Sequence, residues 1–178
     1  NLQAPAPGRE SAIDMPAAWA RTLGGPAHVV ALLDTGVLYN HPDLSGKLLP
    51  GYDMVSDLTT SNDGDGRDAD ASDPGDWLLE SEVATGAFQG CQAQDSTWHG
   101  TFIAGQIAAI TNNATGVAGI DWGARIVPVR VAGKCGAWMS DMVDGIRWAA
   151  GLPVQNTPIN PHPARVIAGL GSVMLAPV

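Results

Sequence analysis

Two side chains are of the types and in the settings that could do chemistry together. Asp34 closes the apolar run Val29-Val30-Ala31-Leu32-Leu33 and is followed at once by Thr35-Gly36. His99 lies in Trp98-His99-Gly100-Thr101, just ahead of another apolar stretch. A carboxylate can hold an imidazole in one tautomer and stabilise its protonated form, leaving the second ring nitrogen to serve as a general base. Such a pair is two-thirds of a charge-relay site. Taken singly, either residue would read as an ordinary satisfied polar group; the surrounding motifs set this pair apart.

The elements that must position the pair are legible. The run before Asp34 reads as a strand buried on both faces, as in a parallel sheet. Its aspartate therefore falls at the carboxyl end of a strand, where open α/β sheets place their ligands. A buried carboxylate there needs a strong donor. Phe102 to Ile110 reads as a buried helix of small and apolar residues, stopped by Asn112-Asn113. Ala124 to Val131 predicts a second strand, Ser140 caps a helix through Met142, Val143, Ile146 and Trp148, and Arg165-Val166-Ile167 begins a third strand. Strands alternating with helices predict a parallel α/β sheet. Ahead of it, residues 1–12 form an irregular arm, and Ala12 to Leu23 fits a short amphipathic helix ended by Gly24-Gly25-Pro26. Residues 56–97 read as one long loop dense in Asp, Gly and Ser, a length that implies function or an external hold.

The 178 residues, 45% of them hydrophobic, suit one compact domain. The net charge of -9 and the lack of a basic stripe argue against nucleic acid as a partner. No apolar run is long enough for a transmembrane helix. No signal peptide stands at Asn1, as expected of a mature secreted chain. Cys91 and Cys135 fit one disulfide, the alternative being two free core thiols; a bridge would point to an oxidising compartment. Much of the acidity lies between Asp53 and Glu82, a local density that suits a cation. Hard cations want clustered carboxylate and carbonyl oxygens, and Asn62-Asp63-Gly64-Asp65-Gly66-Arg67-Asp68-Ala69-Asp70, with Asp53 and Asp73, is expected to bind calcium, Asp53, Asp63, Asp65, Arg67, Asp68 and Asp70 forming the site. The spaced terminal Glu of an EF-hand is absent.

Val30-Ala31-Leu32-Leu33-Asp34-Thr35-Gly36-Val37 with Asn40-His41-Pro42-Asp43-Leu44 closely resembles the aspartate block of subtilisin-like serine proteases. His99-Gly100-Thr101-Phe102-Ile103-Ala104-Gly105, with Gly116-Val117-Ala118-Gly119-Ile120, resembles their histidine block, and the Asp-before-His order agrees. The resemblance runs from about Ile13 to Ile167, and the acidic insert and cysteine pair are most similar to secreted bacterial members. It implies an incomplete, N-terminal portion of a three-layer parallel-sheet subtilisin-like fold. It also implies catalytic roles for Asp34 and His99, and a groove wall for protein or peptide substrates at Val131, Ala132, Gly133, Gly136 and Ala137, with Met139 over a subsite. A calcium site is implied at Asp43, Asn113 and the carbonyls of Ile110, Thr115 and Val117, with Gln3 a weaker candidate.

The chain departs from the family pattern in three places. Phe102 replaces the family's second histidine, which should alter the surface beside the site without removing its chemistry. Val166-Ile167-Ala168-Gly169-Leu170-Gly171 is one residue short of the substrate-pairing strand and lacks its Asn and Ser. The nucleophile block Gly-Thr-Ser-Met-Ala and the oxyanion-hole asparagine do not occur. The expected function is thus a secreted, calcium-stabilised serine endopeptidase of which this chain carries Asp and His, the serine coming from a further segment or a second chain. By itself the chain is expected to be inactive. A non-catalytic calcium-binding or inhibitory half-domain is the alternative reading. A metal hydrolase built on Asp34, His99 and the acidic loop is a third, weakened by the absence of a His-x-x-x-His spacing.

Overall fold

The computed structural model describes residues 2–8, 12–169 and 174–175. Its elements run α1 (Met15–Trp19), β1 (Val29–Asp34), β2 (Tyr52–Asp53), α2 (Leu58–Ser61), α3 (Glu80–Ala84), α4 (His99–Ala108), β3 (Arg125–Arg130), β4 (Ala132–Gly133), β5 (Gly136–Trp138), α5 (Met139–Ala149), β6 (Val166–Gly169) and β7 (Met174–Leu175). Short 3-10 turns occupy Pro42–Leu44 and Gly86–Phe88. The main sheet is parallel, in the order β2-β3-β1-β6, and a small second sheet follows the order β4-β5-β7.

β1 is central because both its faces are apolar. Ala31 and Leu33 meet Val127, Val129, Trp148 and Met142 on one side, while Leu32 meets Ile126, Ala104 and Ala108 on the other. The first face carries α5 and the second carries α4, giving the three-layer α/β arrangement. Pro128 is tolerated inside β3 because the Ile126 amide beside it points away from β1, to Lys47. The missing N–H thus falls on the side where β2 begins only at Tyr52.

α4 is short and lined with small residues where it meets the sheet: Gly100, Ala104 and Ala108 are buried. A Cβ at Gly100 would overlap the Gly36 carbonyl oxygen, so the helix start and the turn after β1 approach as closely as backbone allows. Phe102 faces outward, 65% exposed, and so alters surface rather than core.

Several expected boundaries move. The helix predicted over Ala12 to Leu23 is the single turn-and-a-half of α1, tied to the arm by Asp14 and Met15 amides that donate to the carbonyls of Gln3 and Leu2. α4 begins at His99 and ends at Ala108, before Asn112-Asn113. Ser140 does not cap α5; Trp138 holds that position and Ser140 lies inside the first turn. Residues 56–97 are not one structureless loop either. They contain α2 and α3, and Asp57 caps α2 by accepting from the amides of Thr59 and Thr60.

Candidate active site

Asp34 lies at the carboxyl end of β1, 1% exposed, with Oδ1 accepting from the Thr35 amide at 2.8 Å. His99 opens α4 directly opposite, its Nδ1 2.9 Å from both Oδ1 and Oδ2 of Asp34. The imidazole is 42% exposed and lines a cleft of about 610 Å³, whereas the carboxylate is buried. With Nδ1 committed as donor to the carboxylate, Nε2 is the nitrogen left to accept a proton from a substrate-side group. The Thr35 hydroxyl accepts from the Gly100 amide at 3.1 Å and donates to Asp73 at 2.7 Å, so both partners are pinned to a common network.

The cleft brings together Ala132, Gly133 and Gly136 with His99 and Thr35. Val131 and Ala137 do not line it; at 1% and 3% exposure they belong to the core under the sheet. Met139 opens α5 and lies outside the cleft. Gln89, Gly90, Cys91, Gln92 and Gln94, unforeseen from the sequence, line the same cleft. Cys91 and Cys135 are bridged, Cα atoms 6.0 Å apart, which settles the choice between disulfide and free thiols and fastens that segment to the β4–β5 turn. Lys134, next to the bridge, donates to Glu82 at 2.7 Å and lies over the Trp77 and Phe88 rings. That bond holds the Glu82 carboxyl below its ordinary pKa.

The acidic loop is ordered largely by its own hydrogen bonds and by two arginines. Asp53 and Asp63 both accept from the guanidinium of Arg130, which is fully buried and also donates to the Ser61 carbonyl. Burial pushes the Asp53 carboxyl up to about 7 despite Arg130, whereas bonds to Ser61 and Arg130 outweigh burial and hold Asp63 below its usual value. The Arg67 guanidinium donates to the Met54 carbonyl at 2.9 Å and to Asp141 and Asp144 at 2.7 Å, tying the insert to α5 and leaving only its backbone carbonyl as a possible ligand. Asp63, Asp68 and Asp70 accept the amides of Asp65, Asp70 and Ser72, closing Asx turns. Among the described residues no three or more His, Cys, Asp or Glu side chains converge as a metal site. Arg130 thus partners Asp53 and Asp63, while Asp63, Asp65, Asp68 and Asp70 together line a hollow of about 350 Å³.

At the other expected metal site, Asp43 is 2% exposed, and its carboxylate accepts from Asn113 at 2.7 Å and the Val117 amide at 2.9 Å. Residues 111–118 curl around a hollow of about 270 Å³, and a Cβ at Gly116 would overlap the Asp43 carboxylate. Of the other histidines, His28 pairs with Asp121 at 2.7 Å and His41 accepts from the Asp43 amide. Neither approaches the cleft.

A buried strand-end aspartate holding a helix-opening histidine beside an open cleft, in an α/β sheet of this order, is an arrangement that can relay a proton. The sequence matches the subtilase family of S8 peptidases over residues 25–169, and the chain belongs to that family. It is 50% identical over 150 residues to an extracellular protease of Xanthomonas campestris pv. campestris, covering 84% of this chain and 25% of that one. Thermitase of Thermoactinomyces vulgaris is 35% identical over 140 residues, covering 78% of this chain and 38% of the relative. In structure the chain is similar to a protease of Pseudoalteromonas arctica, with 51% identity and a TM-score of 0.80 over 88% of this chain and 44% of that one. The chain thus spans between a quarter and two-fifths of the curated relatives named here. Among the described residues, no helix is long and apolar enough to cross a membrane.

Proposed function

We propose that the chain supplies the aspartate and histidine of a subtilisin-type serine endopeptidase that acts on protein or peptide substrates outside the cell. The observation that carries this reading is the 2.9 Å approach of His99 Nδ1 to both oxygens of Asp34 at the edge of an open cleft. Asp34 fixes the tautomer and offsets the charge as Nε2 of His99 takes the nucleophile's proton; the same imidazole then protonates the leaving amine. No serine lines the cleft among the described residues, so the nucleophile belongs to a segment outside them. Substrate lies along β4 as an added strand, read at Ala132 and Gly133, with the disulfide-bound segment lining the same cleft. The cysteine pair and the relatives named extracellular support an oxidising, extracellular setting.

Calcium is part of the proposal at two places, the hollow lined by Asp63, Asp65, Asp68 and Asp70 and a second site at Asp43. Asp43, Asn113 and the carbonyls of Ile110, Thr115 and Val117 are an all-oxygen donor set of the kind calcium takes, and the amide of Asn113 can present oxygen instead of nitrogen to the same spot. Gly116 lets the Asp43 carboxylate lie directly against the 111–118 turn, where a Cβ would overlap it. Bound there, the ion would tie the turn after α4 to the Pro42–Leu44 turn.

The reading is tested by a chimera in which residues 25–169 replace their counterpart in the Pseudoalteromonas arctica protease. Peptide hydrolysis that is blocked by a serine-directed reagent and lost on His99→Ala is expected. A folded chimera that hydrolyses nothing would instead favour a non-catalytic half-domain.

A further inference from the structure

His99 needs an accurate backbone behind it, yet its own helix does not provide one. Trp98, the residue before it, adopts a left-handed backbone (φ 51) with no side-chain cap, and at 40% exposure it is not fixed by burial. Such a conformation in a bulky residue persists only where the surroundings impose it.

The surroundings do so from two sides. Asp76, 7% exposed, accepts from the Thr97 amide at 2.6 Å through Oδ1 and from the Thr97 hydroxyl at 2.8 Å through Oδ2. On the other side of His99, the Gly100 amide donates to Thr35, whose hydroxyl donates to Asp73. Asp73 and Asp76 lie in a single turn, and Asp73 also accepts from the Gly75 amide at 2.8 Å. Gly75 (φ +95) lets that turn press against Ser96 and Trp77, where a Cβ would come 2.5 Å from the Ser96 hydroxyl.

Taking His99 as the general base, we propose that Asp76 is a positioning residue for it, clamping Thr97 so that the strained Trp98 peptide delivers the ring squarely to Asp34. Asp76 lines the same cleft as His99, but its hydrogen bonds go to Thr97 and not to the imidazole. It acts through Thr97. Nor is it needed to dock the insert, which has independent anchors in the Cys91–Cys135 bridge, the Lys134–Glu82 pair and the bonds of Arg67 to Asp141 and Asp144. Asp76 is the cleaner of the two carboxylates to probe, because Asp73 works through Thr35, whose amide already binds Asp34.

The test uses the chain itself, reading the 15N shifts of the His99 ring nitrogens, which report tautomer and hydrogen bonding. Asp34→Ala sets the value for an unpaired imidazole. Asp76→Ala is expected to move the shifts at least about half of the way to that value, and Asp76→Asn, which keeps one acceptor oxygen, to fall between. Asp57→Ala, removing a comparable carboxylate cap from α2, is expected to lower the melting temperature while leaving the His99 shifts in place. In the chimera, Asp76→Ala should lower kcat about 10- to 100-fold with KM little changed, with partial recovery in Asp76→Asn. Shifts unmoved by either substitution at Asp76 would overturn the clamp. An inactive parent chimera would count against the protease reading alone, since the ring shifts still decide the clamp.

Discussion

Asp34 and Arg130 are register partners across β1 and β3, yet the carboxylate of one binds His99 and the guanidinium of the other binds Asp53 and Asp63. Opposite charges on neighbouring strand ends would ordinarily pair with each other. Here the Arg130 guanidinium is engaged by Asp53 at the end of β2 and by Asp63 and the Ser61 carbonyl of the acidic insert, while Asp34 is engaged by the imidazole. The insert thus contributes to the electrostatics beside the Asp34–His99 pair as well as to the lining of its cleft.

That arrangement gives a pH dependence. Asp53 has its folded pKa raised from 3.8 to about 7, chiefly by burial, so the fold favours its protonated form. The contribution to stability is fully present below the unfolded value and is lost as pH rises through the folded one. Wild type should therefore lose stability relative to Asp53→Asn between about pH 4 and pH 7 and run parallel to it above. Urea midpoints across that range would show this; a difference independent of pH would contradict it.

The Cys91–Cys135 bridge closes a separation of 44 residues. In the chain-entropy model its loss costs about 4 kcal/mol, roughly 10 °C in Tm for a domain of this size. Cys91→Ser with Cys135→Ser should show that drop and faster amide exchange over residues 86–94. Unchanged exchange there would mean that Lys134 and its partners alone hold the wall.

Calcium at Asp43 should act by mass action on the folded state, adding about 2.7 kcal/mol at a hundredfold excess over Kd. Calorimetry with calcium and then with chelator should show Tm rising and falling, with amide protection gained over residues 111–118. Asp43→Ala should abolish that protection. Equal protection in that variant would put the ion elsewhere.

Much of the fold follows from local pattern. The five-residue apolar run ending in Asp34 could only be a doubly covered strand, and the small residues after His99 could only be a helix packed close to it. The insert's own short helices and its anchoring were not legible because its order is non-local. The sequence displays Asp53, Asp63, Asp68 and Asp70 as a repelling cluster, but Arg130 and the Arg67–Asp141–Asp144 bonds that neutralise or anchor the loop join residues more than 65 positions apart. Asp76 was equally hidden, since nothing local ties it to Thr97. Ser140 looked like a cap because a serine before an apolar helix usually is one; the cap falls two residues earlier, at Trp138.

The central claim, that Asp34 makes His99 a catalytic base, is tested most directly by kcat for peptide hydrolysis in the chimera with Asp34→Asn. The amide preserves the shape of the site but selects the wrong imidazole tautomer, and a loss of about 10⁴ in kcat is expected with the fold intact. A kcat within a few-fold of the parent would contradict the claim and leave the Asp34–His99 contact a structural pair.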